Sequence, residues 1–385
     1  MTEITESEAL AFLQSIDGVH IAEIKKLDKL FGSYVSAATA FEHEYLGVLQ
    51  PECVHELLDR RENQGIKSSL GELRSRGIGF VAKSDPLFPD KLRFIPSPPA
   101  GIYYIGRLPE DNVPSVAIIG ARNCSGYGRQ MAREFAREIS LSGIQIISGL
   151  ARGIDGISQE SALAVNGYTC GVLGSGIDIC YPKENAPLYE KCKLMGGLVS
   201  EYRPGTVPNA KFFPLRNRII AGLSDSVIVI EAREHSGTLI TVNMALEQGR
   251  DIYALPGRVN ESLSYGCNLL IKDGATPLLR PHEFVAEFYN RLGINKLVNE
   301  TRKDSVSSAV NAAGASRAIE DRFLSESERA IISVLDYYPK TISEIYMAVE
   351  DTLHMELTDL MQLLTSMVLR HKIKCIDGCN YYIEG

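Results

Sequence analysis

The sequence predicts an α/β protein whose centre is a doubly wound, mostly parallel sheet, with a helical unit before it and a small helix-and-hairpin unit after it. Three observations carry that prediction. Short apolar runs at 116–119, 144–147, 169–173, 198–200, 226–231 and 251–255 alternate with amphipathic stretches, among them 128–141, where Met131, Phe135 and Ile139 share a face. Such alternation is the signature of a parallel sheet buried on both faces. Residues 8–75 instead repeat at helical spacing, with Leu10, Leu13 and Ile16, then Ile24, Leu27, Leu30 and Phe31. The last 63 or so residues read as three helices and a hairpin, the pattern of a winged helix-turn-helix.

Taken in order, residues 1–75 form the helical unit. Ile16, Asp17, Gly18, Val19 and His20, followed by Phe31-Gly32-Ser33, fit a helix-hairpin-helix, but His20 stands where that motif usually has a second glycine. Glycine there lets backbone N–H groups approach a phosphate, so a structural hairpin is favoured over one that grips DNA. Residues 76–115 are an extended connector, punctuated by Pro86, Pro89, Pro96, Pro98 and Pro99. They carry a short strand at 80–82 and an expected edge strand at 103–106. The sheet occupies 116–290. A Ser/Ala-rich linker is expected at 291–322. In 323–385, helices are expected at 326–335, from Thr341, and at 356–369, and a hairpin turns at Asp377-Gly378. The third of these helices carries Glu356 and Asp359 with no Lys or Arg before Arg370, so a protein-interaction or dimer-supporting role stands beside DNA binding.

Charge narrows the function classes. The 385 residues carry a net charge of −8, which argues against a protein that coats nucleic acid by its overall basicity. Residues 116–290 hold 17 basic and 17 acidic side chains, against 12 and 17 before them and 11 and 14 after. A polyanion is therefore expected on the middle segment, where a local field can form. The eight cysteines are scattered without a CxxC pair, so reduced thiols and no zinc site are expected. The start of the chain lacks a basic and an apolar signal region, and no apolar run reaches about 18 residues. A cytoplasmic protein without a membrane span is expected. No HExxH or paired carboxylate cluster occurs, and neither metal nor cofactor is expected.

Ligands of open α/β sheets sit beyond the strands' carboxyl ends. Glycines, hydroxyls and cations recur there. After the first strand come Gly120, Arg122, Gly126 and Gly128; after the second, Gly149, Arg152, Gly153 and Asp155; after the third, Gly174, Gly176 and Lys183. Asp155 reads as a helix cap rather than a catalytic acid. Later loops bring His235, Ser236, Gly237 and Thr238, then Pro256-Gly257-Arg258. Glycine-bearing turns that open helices present N–H groups and a positive dipole end to anions, so Gly120, Gly126, Gly149, Gly153, Gly174 and Gly176 are candidate phosphate-loop positions. The spacing fits neither GxGxxG nor a Walker A loop. His235 is the sole histidine between residues 116 and 281, and Glu201 and Glu231 lie nearest strand ends without an activating partner. Residues 211–218, Lys-Phe-Phe-Pro-Leu-Arg-Asn-Arg, interleave cations and aromatics at a helix start. That surface can pair with phosphates and stack on bases, or it can be an Arg-rich helix start held by acidic neighbours. Arg216 and Arg218, two apart, face different sides of a helix, and one of them is expected to hold the fold by pairing with a carboxylate.

Seven segments in order, GARNCSGYG, SGLARGID, GSGIDICYP, FFPLRNRIIAGLS, EAREHSGTLITVNMALEQGR, ALPG and SYGCNLLIKDGA, closely resemble the DprA/Smf family of DNA-processing proteins. The resemblance implies an extended Rossmann-like domain that binds single-stranded DNA and forms a homodimer, a helix-hairpin-helix or SAM-like N-terminus, and a winged-helix C-terminus. It implies a protein of natural transformation and recombination that loads RecA recombinase and helps displace single-strand-binding protein, with no metal or nucleotide required. Carried over by motif, Arg122 is the arginine of the family's GSR segment, with Ala121 in place of its serine. Lys183 follows the Tyr-Pro pair, Lys211 precedes the Phe-Pro segment, and Phe213, Arg216, Asn217 and Arg218 belong to that segment. Ser236 and Gly237 match the small residues at the next helix start.

Two other readings compete. Nucleoside-monophosphate phosphoribohydrolases of the LOG type carry a PGGxGTxxE segment whose Glu assists N-glycosidic cleavage. This chain keeps Gly237-Thr238 but has Thr241 where that carboxylate would fall. A small-nucleotide sensor would use the same face.

Overall fold

The computed structural model describes residues 3–294, 325–335, 340–353, 355–370, 372–376 and 380–382. The expected linker lies outside the described residues except for 291–294, and so does the hairpin turn at Asp377-Gly378. The chain divides into two compact units, Met1–Val285 and Ala286–Gly385.

The first unit begins with helices α1 (Glu6–Ser15), α2 (Ile21–Phe31), α3 (Tyr34–Thr39), α4 (Pro51–Asn63) and α5 (Ser68–Ser75). Thr5 and Glu8 form a reciprocal capping box at the start of α1, which satisfies two otherwise orphaned N–H groups. Glu6 accepts from Ser33 Oγ at 2.6 Å and Tyr34 N at 2.8 Å, so its carboxylate sits at the positive end of α3. Gly18 in the α1–α2 turn is left-handed (φ 80°), and a side chain there would meet Cys53 Sγ. That turn is held by the sheet region: Arg203 bonds Asp17 Oδ1 at 2.9 Å and the Ile16 carbonyl at 3.4 Å.

The sheet follows, with β1 (Gly79–Ala82), α6 (Asp90–Arg93), β2 (Gly101–Gly106), β3 (Ser115–Gly120), α7 (Gly126–Leu141), β4 (Gln145–Ser148), α8 (Ile154–Ala164), β5 (Thr169–Leu173), α9 (Ala186–Met195) and β6 (Gly197–Ser200). Next come α10 (Phe212–Gly222), β7 (Ser226–Ile230), α11 (Gly237–Glu247), β8 (Asp251–Ala254), α12 (Ser262–Lys272), β9 (Thr276–Pro277) and α13 (Pro281–Arg291). The strands stand in the order β1-β2-β6-β5-β4-β3-β7-β8-β9. From β6 to β9 all neighbours are parallel; β1 and β2 join antiparallel. The stretch expected as an edge strand at 103–106 is therefore interior: β2 pairs β6 on one side, while β1 covers its other side and takes the edge. The two-residue β9 is too short for sequence periodicity to register.

The central strands are buried on both faces, with Ile118, Ile146, Ile147, Val227, Ile228 and Val229 at 0% exposure. Each such side chain contributes roughly 1.5–3 kcal/mol on burial, which is why these runs are continuously apolar. β3 pairs β4 on one side and β7 on the other. The chain winds outward from β3 in opposite directions, so a crevice opens where the loops after β3 and β7 diverge.

In the second unit, α14 (Glu326–Val334), β10 (Lys340–Thr341), α15 (Ile342–Leu353), α16 (Leu357–Leu369), β11 (Lys374–Ile376) and β12 (Asn380–Tyr382) surround Ile331, Ile345, Leu360, Leu364 and Met367. Its strands pair antiparallel in the order β10-β12-β11. The Ser325–Glu328 capping box starts α14, and Glu328 also pairs Arg370. Among the described residues no helix is long and apolar enough to cross a membrane, and no group of three or more His, Cys, Asp or Glu could hold a metal ion.

Candidate nucleic-acid interface

A cavity of about 630 Å³ occupies the crevice between the β3 and β7 loops. Its walls come from Gly120, Arg122 and Asn123 after β3, Phe213, Arg216 and Asn217 on α10, and Arg233, Ser236, Gly237 and Thr238 after β7. Tyr181 closes one side, and Ala151 of the β4 loop and Asp155 of the first turn of α8 reach it. The volume suits a nucleotide-sized group. Of the five strand-end loops, the Pro256-Gly257-Arg258 turn after β8 contributes nothing to the lining; Leu263 of α12 does.

Arg122 is exposed, and among the described residues no carboxylate lies within ion-pair distance of it. Its guanidinium sits 5.8 Å from the Phe213 ring centre. Phe213 is half-buried in the first turn of α10, where Pro214 costs no hydrogen bond. Gly174 packs beneath that ring, and a side chain there would stand 2.8 Å from Phe213 Cδ1. Lys183 and Lys211 are exposed at the starts of the 3-10 turn Lys183–Asn185 and of α10. Neither lines the cavity itself. At the start of α11, Ser236 Oγ is buried with no hydrogen-bond partner, and Gly237 is exposed with open space at its missing Cβ. The α11 N-terminus thus offers free N–H groups, a hydroxyl and a positive dipole end.

Both arginines of α10 are committed to the protein. Arg216 is 4% exposed and forms the cavity floor. Its Nη1 donates to the Gly149 carbonyl at 2.9 Å and to the Val172 carbonyl, and its Nε to Asn217 Oδ1 at 3.2 Å. Burial lowers its pKa to about 10, with Asp155 opposing that shift. Arg218 pairs Glu201 at 2.7 Å with both side chains largely buried, and donates to the Ser97 and Leu215 carbonyls at 2.9 and 3.0 Å. The expectation of a single structural arginine is corrected to two, because both faces of this helix pack against the sheet and its loops. Arg218 does not line the cavity, and Arg216 reaches it with its Nε and Nη1 donors bonded to protein acceptors.

Three further placements differ from expectation. The α7 N-terminus, expected to receive a ligand anion, is filled by Glu231, whose buried carboxylate accepts from Ser125 N at 2.9 Å and from Ser125 Oγ. Asp155 is not the cap of α8, a position held by Gly153. It accepts from Gly149 N at 3.1 Å; burial raises its pKa, and Arg216 opposes the shift. Among the candidate phosphate-loop glycines, Gly120 alone lines the cavity. A side chain at Gly149 would crowd Arg216 and Asp155, and those at Gly120, Gly153 and Gly176 would strike the Ile230, Ala121 and Arg203 carbonyls. Gly126 is exposed on α7. These glycines chiefly let protein atoms approach one another.

Sequence reasoning missed Arg233, Asn123 and Tyr181. Arg233 lies three residues beyond β7 and is exposed at the cavity wall; its signal was its place after a strand end, obscured by the nearby Glu231 and Glu234.

Residues 79–289 match the family model described as DNA recombination-mediator protein A. Protein Smf of Synechocystis is 37% identical over 257 residues, 66% of this chain and 64% of its own length. DNA processing protein DprA of Streptococcus pneumoniae is 40% identical over 204 residues, 53% of this chain and 72% of its own length. The chain thus spans less than two thirds of the Synechocystis relative. The solved structure of S. pneumoniae DprA superposes with a TM-score of 0.63 at 32% identity, covering 74% of this chain and 99% of that one. Helicobacter pylori DprA, solved for its single-stranded DNA binding mode, gives 0.50 at 29% identity over 55% of this chain and 96% of its own. The extended match through every element that builds the cavity shows that this chain belongs to the DNA recombination-mediator protein A (DprA/Smf) family.

Proposed function

We propose that the chain binds single-stranded DNA in the β3–β7 crevice as a non-enzymatic recombination mediator, needing neither metal nor nucleotide. The observation that carries this reading is the exposed Arg122, in no ion pair among the described residues, over the half-buried Phe213 ring, beside the open α11 N-terminus. Phosphates meet Arg122, Lys183, Lys211 and the Ser236-Gly237 helix start, Phe213 stacks on a base, and Asn217 offers its amide to a base edge. Arg216 contributes its charge to the floor, with its Nε and Nη1 donors held by the protein. Likeness to H. pylori DprA, whose structure concerns single-stranded DNA, supports the same choice.

The finer parts of the reading rest on family membership. The protein acts as a cytoplasmic homodimer in recombination and natural transformation, loading RecA onto strands covered by single-strand-binding protein. The N-terminal helices act as a structural helix-hairpin-helix or SAM-like unit, and residues 323–385 as a winged helix. Gel shifts with single- and double-stranded oligonucleotides, alongside light scattering, test strand preference and oligomeric state together. Preferred binding of the single strand, lost in Arg122→Ala, is expected; equal affinity of both proteins for oligothymidylate sinks the placement. RecA filament assembly on precoated strands tests loading. Incubation with AMP tests the hydrolase alternative. Among the described residues the cavity's sole carboxylate is Asp155, which is tied to Arg216, and Thr241 sits where a catalytic Glu would fall. No free adenine is expected.

A further inference from the structure

We infer that Tyr181 is a second stacking ring, over which the single strand passes from the cavity toward Lys183. This assignment rests on the single-strand reading above and adds the strand's path to it.

Tyr181 lies 5.4 Å from Phe213, ring centre to ring centre, with the planes tilted by 33°. Aromatic pairs at this spacing form one offset platform. Yet the two rings differ in freedom. Phe213 is half-buried, with Gly174 packed beneath it and the Arg122 and Arg216 guanidiniums 5.8 and 5.9 Å from its centre. Tyr181 lines the same cavity but keeps 45% of its surface in solvent, and among the described residues its hydroxyl bonds to nothing. A large aromatic that packs for structural reasons buries its ring or ties its hydroxyl. Tyr189, on the next helix, does both: it is 5% exposed and donates to the Ile177 carbonyl at 2.6 Å.

Charge sets the direction. Two residues beyond Tyr181, Lys183 is exposed with no carboxylate within ion-pair distance among the described residues. On the same side, Arg152 is balanced by Glu184 at 4.0 Å, a loose and exposed pair. A strand leaving the cavity over Phe213 therefore meets a second ring and then a free cation, the pairing of base platform and phosphate contact that sequence-tolerant single-strand binding requires. The opposite exit, past Arg233, runs into Glu234 and Glu261 beside His235, and two carboxylates oppose a polyanion there.

The full chain contains no tryptophan, so Tyr181→Trp carries a single indole at the proposed contact. Its fluorescence is expected to quench when oligothymidylate binds and to stay unchanged with an abasic strand of equal length. A Leu194→Trp protein, its indole at the exposed end of α9, is expected to show no quenching with either strand. Tyr181→Ala is expected to weaken oligothymidylate binding by roughly 5- to 150-fold, while Tyr181→Phe keeps it. The abasic strand is expected to bind Tyr181→Ala and the unsubstituted protein alike, since it offers nothing to stack. Unchanged oligothymidylate affinity in Tyr181→Ala overturns the assignment. So does equal weakening toward both strands, which would mean that Tyr181 merely positions Lys183, and so does an unquenched Tyr181→Trp indole on oligothymidylate, which would mean that it merely props Phe213. If the unsubstituted protein binds neither strand, the single-strand reading itself falls and this assignment with it; loss confined to Tyr181→Ala and to strands that carry bases cannot arise that way.

Discussion

The eight residues 211–218 divide into two halves that look alike in sequence and behave oppositely. Lys211 and Phe213 at the outer end are exposed or half-buried and turned to the cavity and its rim, with Lys211 free of carboxylates among the described residues. Arg216 and Arg218, one turn further on, are buried among carbonyls and beside Asp155 and Glu201. The same cationic chemistry thus holds the sheet ends together at one end of the segment and faces solvent at the other. A positive charge in this stretch is a ligand contact only where no internal acceptor has claimed it. Substitutions should separate cleanly, the inner half through stability and the outer half through affinity and its salt dependence.

The sharpest attempt to break the contrast is Arg216→Ala. It takes a donor from the Gly149 and Val172 carbonyls and removes the principal cation beside buried Asp155. Removing one partner of a buried charged pair costs about 3–5 kcal/mol. A fall in thermal midpoint accompanied by loss of soluble protein is expected. A variant that melts normally and loses only DNA binding would move Arg216 to the ligand side.

Glu201→Gln is a gentler test of the same half. It removes the carboxylate from Arg218 but leaves that guanidinium its Ser97 and Leu215 carbonyls. A loss of about 1–3 kcal/mol in denaturant unfolding is expected, with oligothymidylate affinity unaltered under conditions where the protein stays folded.

Phe213→Ala probes the hinge between the halves. The ring packs on Gly174 and Tyr181 yet lines the cavity. Loss of a stacked aromatic should weaken single-strand binding by about 1–3 kcal/mol, read from equilibrium titration, with a smaller effect on melting than Arg216→Ala.

Much of this was legible in the chain. Alternating apolar runs and amphipathic stretches located the parallel sheet, because strands buried on both faces must be continuously apolar. Arg122, Phe213, Asn217, Ser236 and Gly237 were named from motifs and all line one cavity. What stayed hidden depends on contacts between residues distant in sequence. Glu231 fills the α7 N-terminus from a strand 106 residues away, and nothing local to either segment announces it. Gly149 and Gly174 read as ligand loops because glycine tolerates any close approach; whether the approaching atom belongs to a phosphate or to Arg216 and Phe213 is a tertiary fact. Arg216 was ambiguous for the same reason.

Lys211→Ala makes the smallest expected change and the finest discrimination. Lys211 is exposed at the start of α10, and its side chain makes no ion pair among the described residues. Its removal should leave unfolding within about 0.5 kcal/mol of the unsubstituted protein. Binding should still weaken. A cation that neutralises one phosphate of a single strand releases its share of condensed counterion, so the slope of log affinity against log salt should flatten by about 0.7. Titrations at several salt concentrations separate this from a lost hydrogen bond, which would lower affinity equally at every salt. A parallel shift with an unchanged slope would place Lys211 away from phosphate, and a stability loss as large as that of Arg216→Ala would erase the distinction between the two halves.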